Sequence, residues 1–359
     1  MKHRVISALA VCCANTAFAQ SQVTLYGSVD TSVPWISNIR GNSTVRMDGG
    51  ISQPDLFGLR GSEDLGGGMK AIFQLENGFL TDSGSMIAAG KIFNRASWVG
   101  LSASSGTVRL GRQVDFVADK LGQWSNGYQL FNFYLYHPGN LDGLSSQFPV
   151  DNAISYQSPR FGGMQLSAMY GLGEVPGSSS AKRTYSLAGT YDADRLSVTV
   201  AYTDANGRAF DIGGTTGLPN ALGRGLTPGA AMFIDAFKAG GIGGSYRLES
   251  VPLSVNALYS RSTLRAGAAE GTMNAADLGL TWQATPAAAA TVGYSFSKFE
   301  KTKWHQLHLG GMYYFSKRTQ LYAFWTYQHA VDGLAAMNVV GVSSGQNQSV
   351  VSVGLHTSF

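Results

Sequence analysis

The stretch Phe57-Gly58-Leu59-Arg60-Gly61-Ser62 alternates apolar side chains with small or polar ones at period two. On a strand, Phe57 and Leu59 share one face while Gly58, Arg60 and Ser62 share the other. The next stretch repeats the division, with Lys70, Gln74 and Glu76 opposite Ala71, Phe73 and Leu75. Fixed charges of both signs need do no covalent chemistry. Placed across a narrow aqueous passage, they set up a transverse field, orient water and polar solutes, and disfavour apolar molecules that cannot replace that hydration. Patterns suggestive of catalysis or metal binding have plainer readings. Gly341-Val342-Ser343-Ser344-Gly345 has the spacing of a serine nucleophile motif, but it sits in a loop before the last strand, not in a strand-to-helix elbow. His305 and His308 are spaced by three on a strand, which sends them to opposite faces. Gly66 to Gly68 lack the Gly-Lys-Ser/Thr ending of a phosphate cradle and read as a turn. No enzyme and no cofactor are expected.

The elements that must position such charges are strands. Leu196, Val198, Val200 and Tyr202 alternate with Ser197, Thr199, Ala201 and Thr203, and Leu253, Val255, Ala257 and Tyr259 with Ser254, Asn256, Leu258 and Ser260. Sixteen candidates follow one another: 22–30, 54–62, 69–78, 93–102, 107–113, 151–158, 164–172, 183–191, 196–204, 238–248, 253–262, 276–283, 289–299, 305–315, 319–328 and 348–359. No helical pattern of comparable strength interrupts them to cover a sheet, and the apolar face is rich in Tyr, Trp and Phe. The closed solution is an all-β, sixteen-stranded antiparallel transmembrane barrel with lipid outside and water inside. Arg60 then enters the lumen, because a lipid-facing arginine at the midplane costs roughly 2–4 kcal/mol. Tyr170, Tyr202, Tyr259, Trp282, Trp304, Trp325 and Tyr327 read as interfacial girdle residues, with sugar-stacking platforms as the alternative.

Short connections alternate with long ones, at 31–53, 79–92, 114–150, 205–237, 263–275 and 329–347. That places short turns on the periplasmic rim, long loops outside, and both termini with the turns. The segment 114–150 is too long for a mere connector. Its aromatics, among them Phe116, Trp124, Tyr128 and Tyr134, argue for a folded loop inserted into the lumen.

Lys2 and Arg4, the apolar run Val5 to Ala14 and the small residues of Ala17-Phe18-Ala19 form a secretory signal over 1–19, leaving a barrel domain over 20–359. Both cysteines, Cys12 and Cys13, fall inside the signal. No apolar run reaches the eighteen or so residues of a helical span, and a mean hydropathy of -0.02 suits a barrel whose two faces average out. Removing Lys2 and Arg4 from the 26 basic residues leaves 24 against 22 acidic ones, too even a balance to suggest a nucleic-acid partner.

The run from Gly58-Leu59-Arg60-Gly61-Ser62-Glu63-Asp64-Leu65-Gly66-Gly67-Gly68-Met69-Lys70-Ala71 through Ile72-Phe73-Gln74-Leu75-Glu76 resembles the trimeric Gram-negative porins of the β-proteobacterial type. It is joined by Val23-Thr24-Leu25-Tyr26-Gly27, Phe93-Asn94-Arg95 with Val99-Gly100-Leu101, Gly106-Thr107-Val108 with Leu110-Gly111-Arg112-Gln113, Asp151-Asn152-Ala153-Ile154-Ser155-Tyr156, and Val353-Gly354-Leu355 with Phe359. The resemblance implies a homotrimer in outer-membrane lipid and lipopolysaccharide, passing small hydrophilic solutes and ions through a constriction made by the third long loop. It matches the family's basic wall to Arg60, Arg95 and Arg112, although anchoring the loop would equally suit Arg112. Asp115 and Asp119 on the loop are the matching acidic candidates, with solvated loop charges as the alternative. Terminal Phe359 resembles the address read by the barrel-assembly machinery, or is one more girdle residue. Leu56 and the run Phe148-Pro149-Val150 stand where relatives often carry arginine, so a weak anion preference is expected. The alternatives are a substrate-selective channel and an outer-membrane enzyme or adhesin barrel.

Overall fold

The computed structural model describes residues 22–146 and 148–359. The expected secretory signal lies outside the described residues. Sixteen long strands close into one antiparallel barrel. They are β1 (Gln22–Ile39), β2 (Leu56–Gly66), β3 (Met69–Gly78), β4 (Ala96–Ala103), β5 (Gly106–Gln113), β6 (Val150–Gln157), β7 (Met164–Gly171), β8 (Thr184–Asp192), β9 (Leu196–Phe210), β10 (Met232–Arg247), β11 (Leu253–Ala266), β12 (Ala269–Thr285), β13 (Ala288–Phe299), β14 (Thr302–Tyr314), β15 (Thr319–Val331) and β16 (Asn347–Ser358). Each pairs with its neighbours in sequence. Closure falls on β1, whose first half pairs with β2 from Gln22↔Ser62 to Ser28↔Leu56 and whose second half pairs with β16 from Ser28↔Ser358 to Ile36↔Val350.

Period-two alternation decides which way each side chain points. Val99, Leu101, Val108, Leu110, Leu187, Val200, Leu307, Leu309, Val351 and Val353 form the exposed apolar outer face. Ser186, Thr199, Thr203, Asn256, Ser260, Gln306 and Thr326 occupy the opposite parity and are buried inside. A core of this kind is inverted, and lipid supplies the partner for the greasy face.

One expected loop is absent. Residues 263–275 are strand almost throughout, with β11 and β12 joined by a two-residue turn at 267–268. The side chains there stay in register to Ala266↔Ala269. The strands outrun the apolar alternation because hydrogen bonding of the ladder continues above the level at which lipid imposes it. A second two-residue turn, 300–301, joins β13 to β14 on the same rim.

The segment 114–146 runs inside the barrel as short helical turns: Val117–Leu121, Gly122–Trp124, Asn126–Gln129, Phe133–Leu135 and Pro138–Asn140. It lies against the inner wall of β8 to β15, bonded to strand after strand. The Trp124 indole donates to Thr199 Oγ1 at 2.9 Å, the Asn126 backbone N–H to Asp277 at 2.9 Å, Asn132 to Thr326 Oγ1 at 3.0 Å, and Gln306 to the Tyr134 carbonyl at 2.9 Å. Such bonds contribute about 1 kcal/mol each, so their number holds the loop. Gly293 on β13 makes room for it, since a Cβ there would overlap Leu130.

Candidate functional site

With the loop pressed on β8 to β15, the open passage lies between it and the wall of β2 to β5. The narrow chamber has a volume of about 450 Å³. Gln74, Glu76, Arg95, Trp98 and Arg109 line its wall side, and Asp119, Lys120 and Gln123 its loop side. Alternation on β3, β4 and β5 turns Glu76, Trp98 and Arg109 inward, because Leu75, Val99, Val108 and Leu110 take the outer face.

Two of the cations here are cancelled locally by acids. Arg95 Nε lies 2.7 Å from Glu76 Oε1, and Lys120 Nζ lies 3.1 Å from Asp119 Oδ2. Glu76 is held further by the Tyr26 hydroxyl at 2.8 Å and Gln74 Nε2 at 3.2 Å. Arg109 is not cancelled. Its guanidinium stacks over the Trp98 ring at 4.6 Å, donates weakly to Gln157 at 3.4 Å, and makes no ion pair among the described residues. Arg60 stands exposed beside the same wall, with its guanidinium 5.1 Å from the centre of the Tyr26 ring. It shares with Arg109, Gln74 and Trp98 a second open region of the wall. The passage therefore carries an excess of positive charge on the side of β2 to β5.

Of the expected set, the structure places Arg95 and Asp119 in the narrow chamber and Arg60 in the adjoining open region shared with Arg109, and sets Arg112 and Asp115 apart. Arg112 is bonded to Asp151 and, at 2.8 Å, to the Asn94 carbonyl. It shares the outer parity of Val108 and Leu110, while Gln113, on the inward parity of Arg109, accepts from the Ser155 hydroxyl. Asp115 is 2% exposed. It accepts from Arg208 Nη2 at 3.0 Å, Thr203 Oγ1 at 3.0 Å and the Val117 N–H at 3.0 Å, and so fastens the root of the loop to β9. Arg109 escaped the sequence reading, although the alternation that turned Arg60 inward applies to it without change.

The loop carries a second buried charge. His137 sits between Asp142, 2.6 Å from Nδ1, and Asp277, 3.2 Å from Nε2. Burial alone would disfavour its charged form; the two carboxylates outweigh burial and push its pKa up to about 10. The catalytic patterns find no support. Ser343 donates to the Gly345 carbonyl within its own loop. His305 pairs with the Tyr294 hydroxyl on the exposed face at 2.7 Å, while His308 is buried inside near Thr291. Phe359 closes the barrel seam: its N–H and carbonyl exchange hydrogen bonds with Gly27 at 3.0 and 3.1 Å, and its ring lies where a Gly27 side chain would be.

The family model for Gram-negative porins matches residues 6–333. The chain is 31% identical over 376 residues to outer membrane porin protein 32 of Delftia acidovorans, with 100% of each covered. It is 26% identical over 359 residues to major outer membrane protein P.IA of Neisseria meningitidis serogroup A, covering 84% of this chain and 81% of that one. Among solved structures, the anion-selective porin from Comamonas acidovorans matches with a TM-score of 0.78 at 24% identity, covering 95% of this chain and 100% of that one. A closed sixteen-stranded barrel, a lumen narrowed by its own third long loop and a whole-chain match together make this protein a member of the Gram-negative porin family, a passive channel of the outer membrane and not an enzyme.

Proposed function

We propose that the channel is a general diffusion porin with a weak preference for anions, working as a homotrimer. The observation that carries the sign is Arg109. It lies in the narrow passage without a carboxylate partner, whereas Arg95 and Lys120 are each paired with an acid. Arg60 adds a second uncancelled charge along the same wall. The proposed constriction set is Arg60, Arg95, Arg109 and Asp119, with Glu76 and Lys120. The selectivity named for the Comamonas acidovorans porin agrees with this sign.

Support for the trimer comes from the outer face. The outward positions of β2 to β5 hold Phe57, Leu59, Phe73, Leu75, Val99, Leu101, Val108 and Leu110, with no Tyr or Trp. Outward Tyr and Trp cluster instead on the rest of the wall, as at Tyr156, Tyr185, Tyr202, Tyr259, Trp282 and Trp325. Interfacial aromatics mark lipid contact, so their lack on β2 to β5 fits a face covered by another copy. Phe359 is proposed as the assembly signal and 20–359 as the barrel domain.

The test is the zero-current potential of single channels in a dilute salt gradient. Wild type should lie on the anion side, and R60Q/R109Q should move toward cation preference with assembly intact. A cation-preferring wild type, or a double variant with an unmoved potential, overturns the assignment.

A further inference from the structure

Lys298 on β13 stands directly opposite Lys303 on β14, and both side chains are exposed on the lipid-facing parity. Directly opposed like charges destabilise a sheet. No carboxylate relieves them. Among the described residues neither lysine makes an ion pair: the nearest acid on the neighbouring strand, exposed Asp332 beside Val331, is not within ion-pair distance of Lys303. Other acids of this rim are engaged elsewhere, Asp204 with Arg183 at 3.2 Å, Glu300 with the Leu222 N–H at 3.1 Å and Asp235 with the Gly267 N–H at 2.6 Å, while Glu270 lies opposite Arg265. The same register line continues through Asn274 on β12 to Arg261 on β11, a third exposed cation.

Height fixes what can reach them. From Tyr313 near the periplasmic end of β14 to Lys303 the outward face runs ten residues through Leu309 and Leu307. At about 3.3 Å per residue and a tilt near 40°, that is roughly 25 Å of vertical rise, the height of the apolar band of an outer-membrane barrel. The lysine pair therefore stands at the headgroup level of the outer leaflet, with the apolar and aromatic side chains of Val292, Tyr294, Leu307 and Leu309 directly beneath it.

We propose that Lys298 and Lys303, extended by Arg261, form a binding site for a phosphorylated glycolipid of the outer leaflet. One phosphate sits between the two lysines, and the acyl chains lie along the apolar wall below. The site is separate from the passage, so its test is independent of the selectivity reading.

The experiment is native mass spectrometry of the detergent-solubilised protein titrated with diphosphorylated lipid A, with dephosphorylated lipid A and inorganic phosphate as comparison probes. K298Q/K303Q should weaken diphosphorylated lipid A binding by about tenfold or more, as expected for two basic groups at a charged surface. K298R/K303R should restore it, and the zero-current potential should be the same in all three proteins. Equal affinity of wild type and the Gln variant overturns the site, as does equal binding of dephosphorylated lipid A. Displacement of the lipid by millimolar inorganic phosphate would reduce the site to a simple anion contact and overturn the lipid assignment.

Discussion

Arg208 on β9 reaches the carboxylate of Asp115 at 3.0 Å across the root of the inserted loop, with side chains only 11% and 2% exposed. Phe148 and Phe237 flank the guanidinium at 5.5 and 4.8 Å. Charges this deep are stable only as a pair, and removing one leaves the other buried without compensation, at a cost of about 3–5 kcal/mol.

Arg208→Met should accordingly lower the thermal midpoint of the folded protein in detergent and raise single-channel noise, because the loop root loses its fastening. The double variant R208M/D115L should recover much of the lost stability. A single variant as stable and as quiet as wild type would show that the hydrogen bonds further along the loop suffice.

Arg112 and Arg109, three residues apart on β5, should behave differently. R112Q, bonded on the outer side of the wall, should leave the zero-current potential unchanged, whereas R109Q should shift it toward cations. The shift should shrink between 0.1 M and 1 M salt, as the Debye length falls from about 10 to about 3 Å. A salt-independent shift in R109Q would point to altered pore shape rather than to charge.

His137 gives a pH dependence of definite sign. Its folded pKa of about 10 lies above the ordinary value near 6.5. The stabilisation is complete below about pH 6.5 and is lost as pH rises through about 10. Thermal midpoints from pH 7 to pH 11 should fall more steeply for wild type than for H137Q, in which the loop position no longer titrates. Parallel curves for the two proteins would remove His137 from the account.

Deleting Phe359 opens the seam at Gly27 and uncovers the space its ring fills. Lower outer-membrane levels and a periplasmic stress response should follow, while refolding of the purified variant in detergent should be impaired much less. Equal impairment in both settings would mean that the ring acts through packing rather than as an assembly signal.

Much of this was legible in the sequence. Strand β3 runs over the expected 69–78, and the start of β15 at Thr319 matches as well, because lipid on one side and water on the other enforce strict alternation. The part that was not legible depends on contacts distant in sequence. Asp115 looks like a loop charge until Arg208, far along the chain, is seen to cover it. Arg112 was placed in the basic wall by the family motif alone, against an alternation with Val108 and Leu110 that puts it on the outer face. The expected loop at 263–275 was mistaken for the opposite reason: above the bilayer Arg265 and Glu270 face outward while Leu264, Ala266 and Met273 are buried, so the strands there lack the apolar-outward signature that lipid imposes lower down.

The loop meets the wall along one edge and the passage along the other. Trp124, Asn126 and Asn132 are committed to the wall, while Asp119, Lys120 and Gln123 border the open space. Attachment and aperture are thus encoded by different residues of one segment. Descendants of such a chain can exchange what the channel admits by point changes along the free edge, without renegotiating how the segment folds, so permeability is free to drift with the habitat while the architecture stays still.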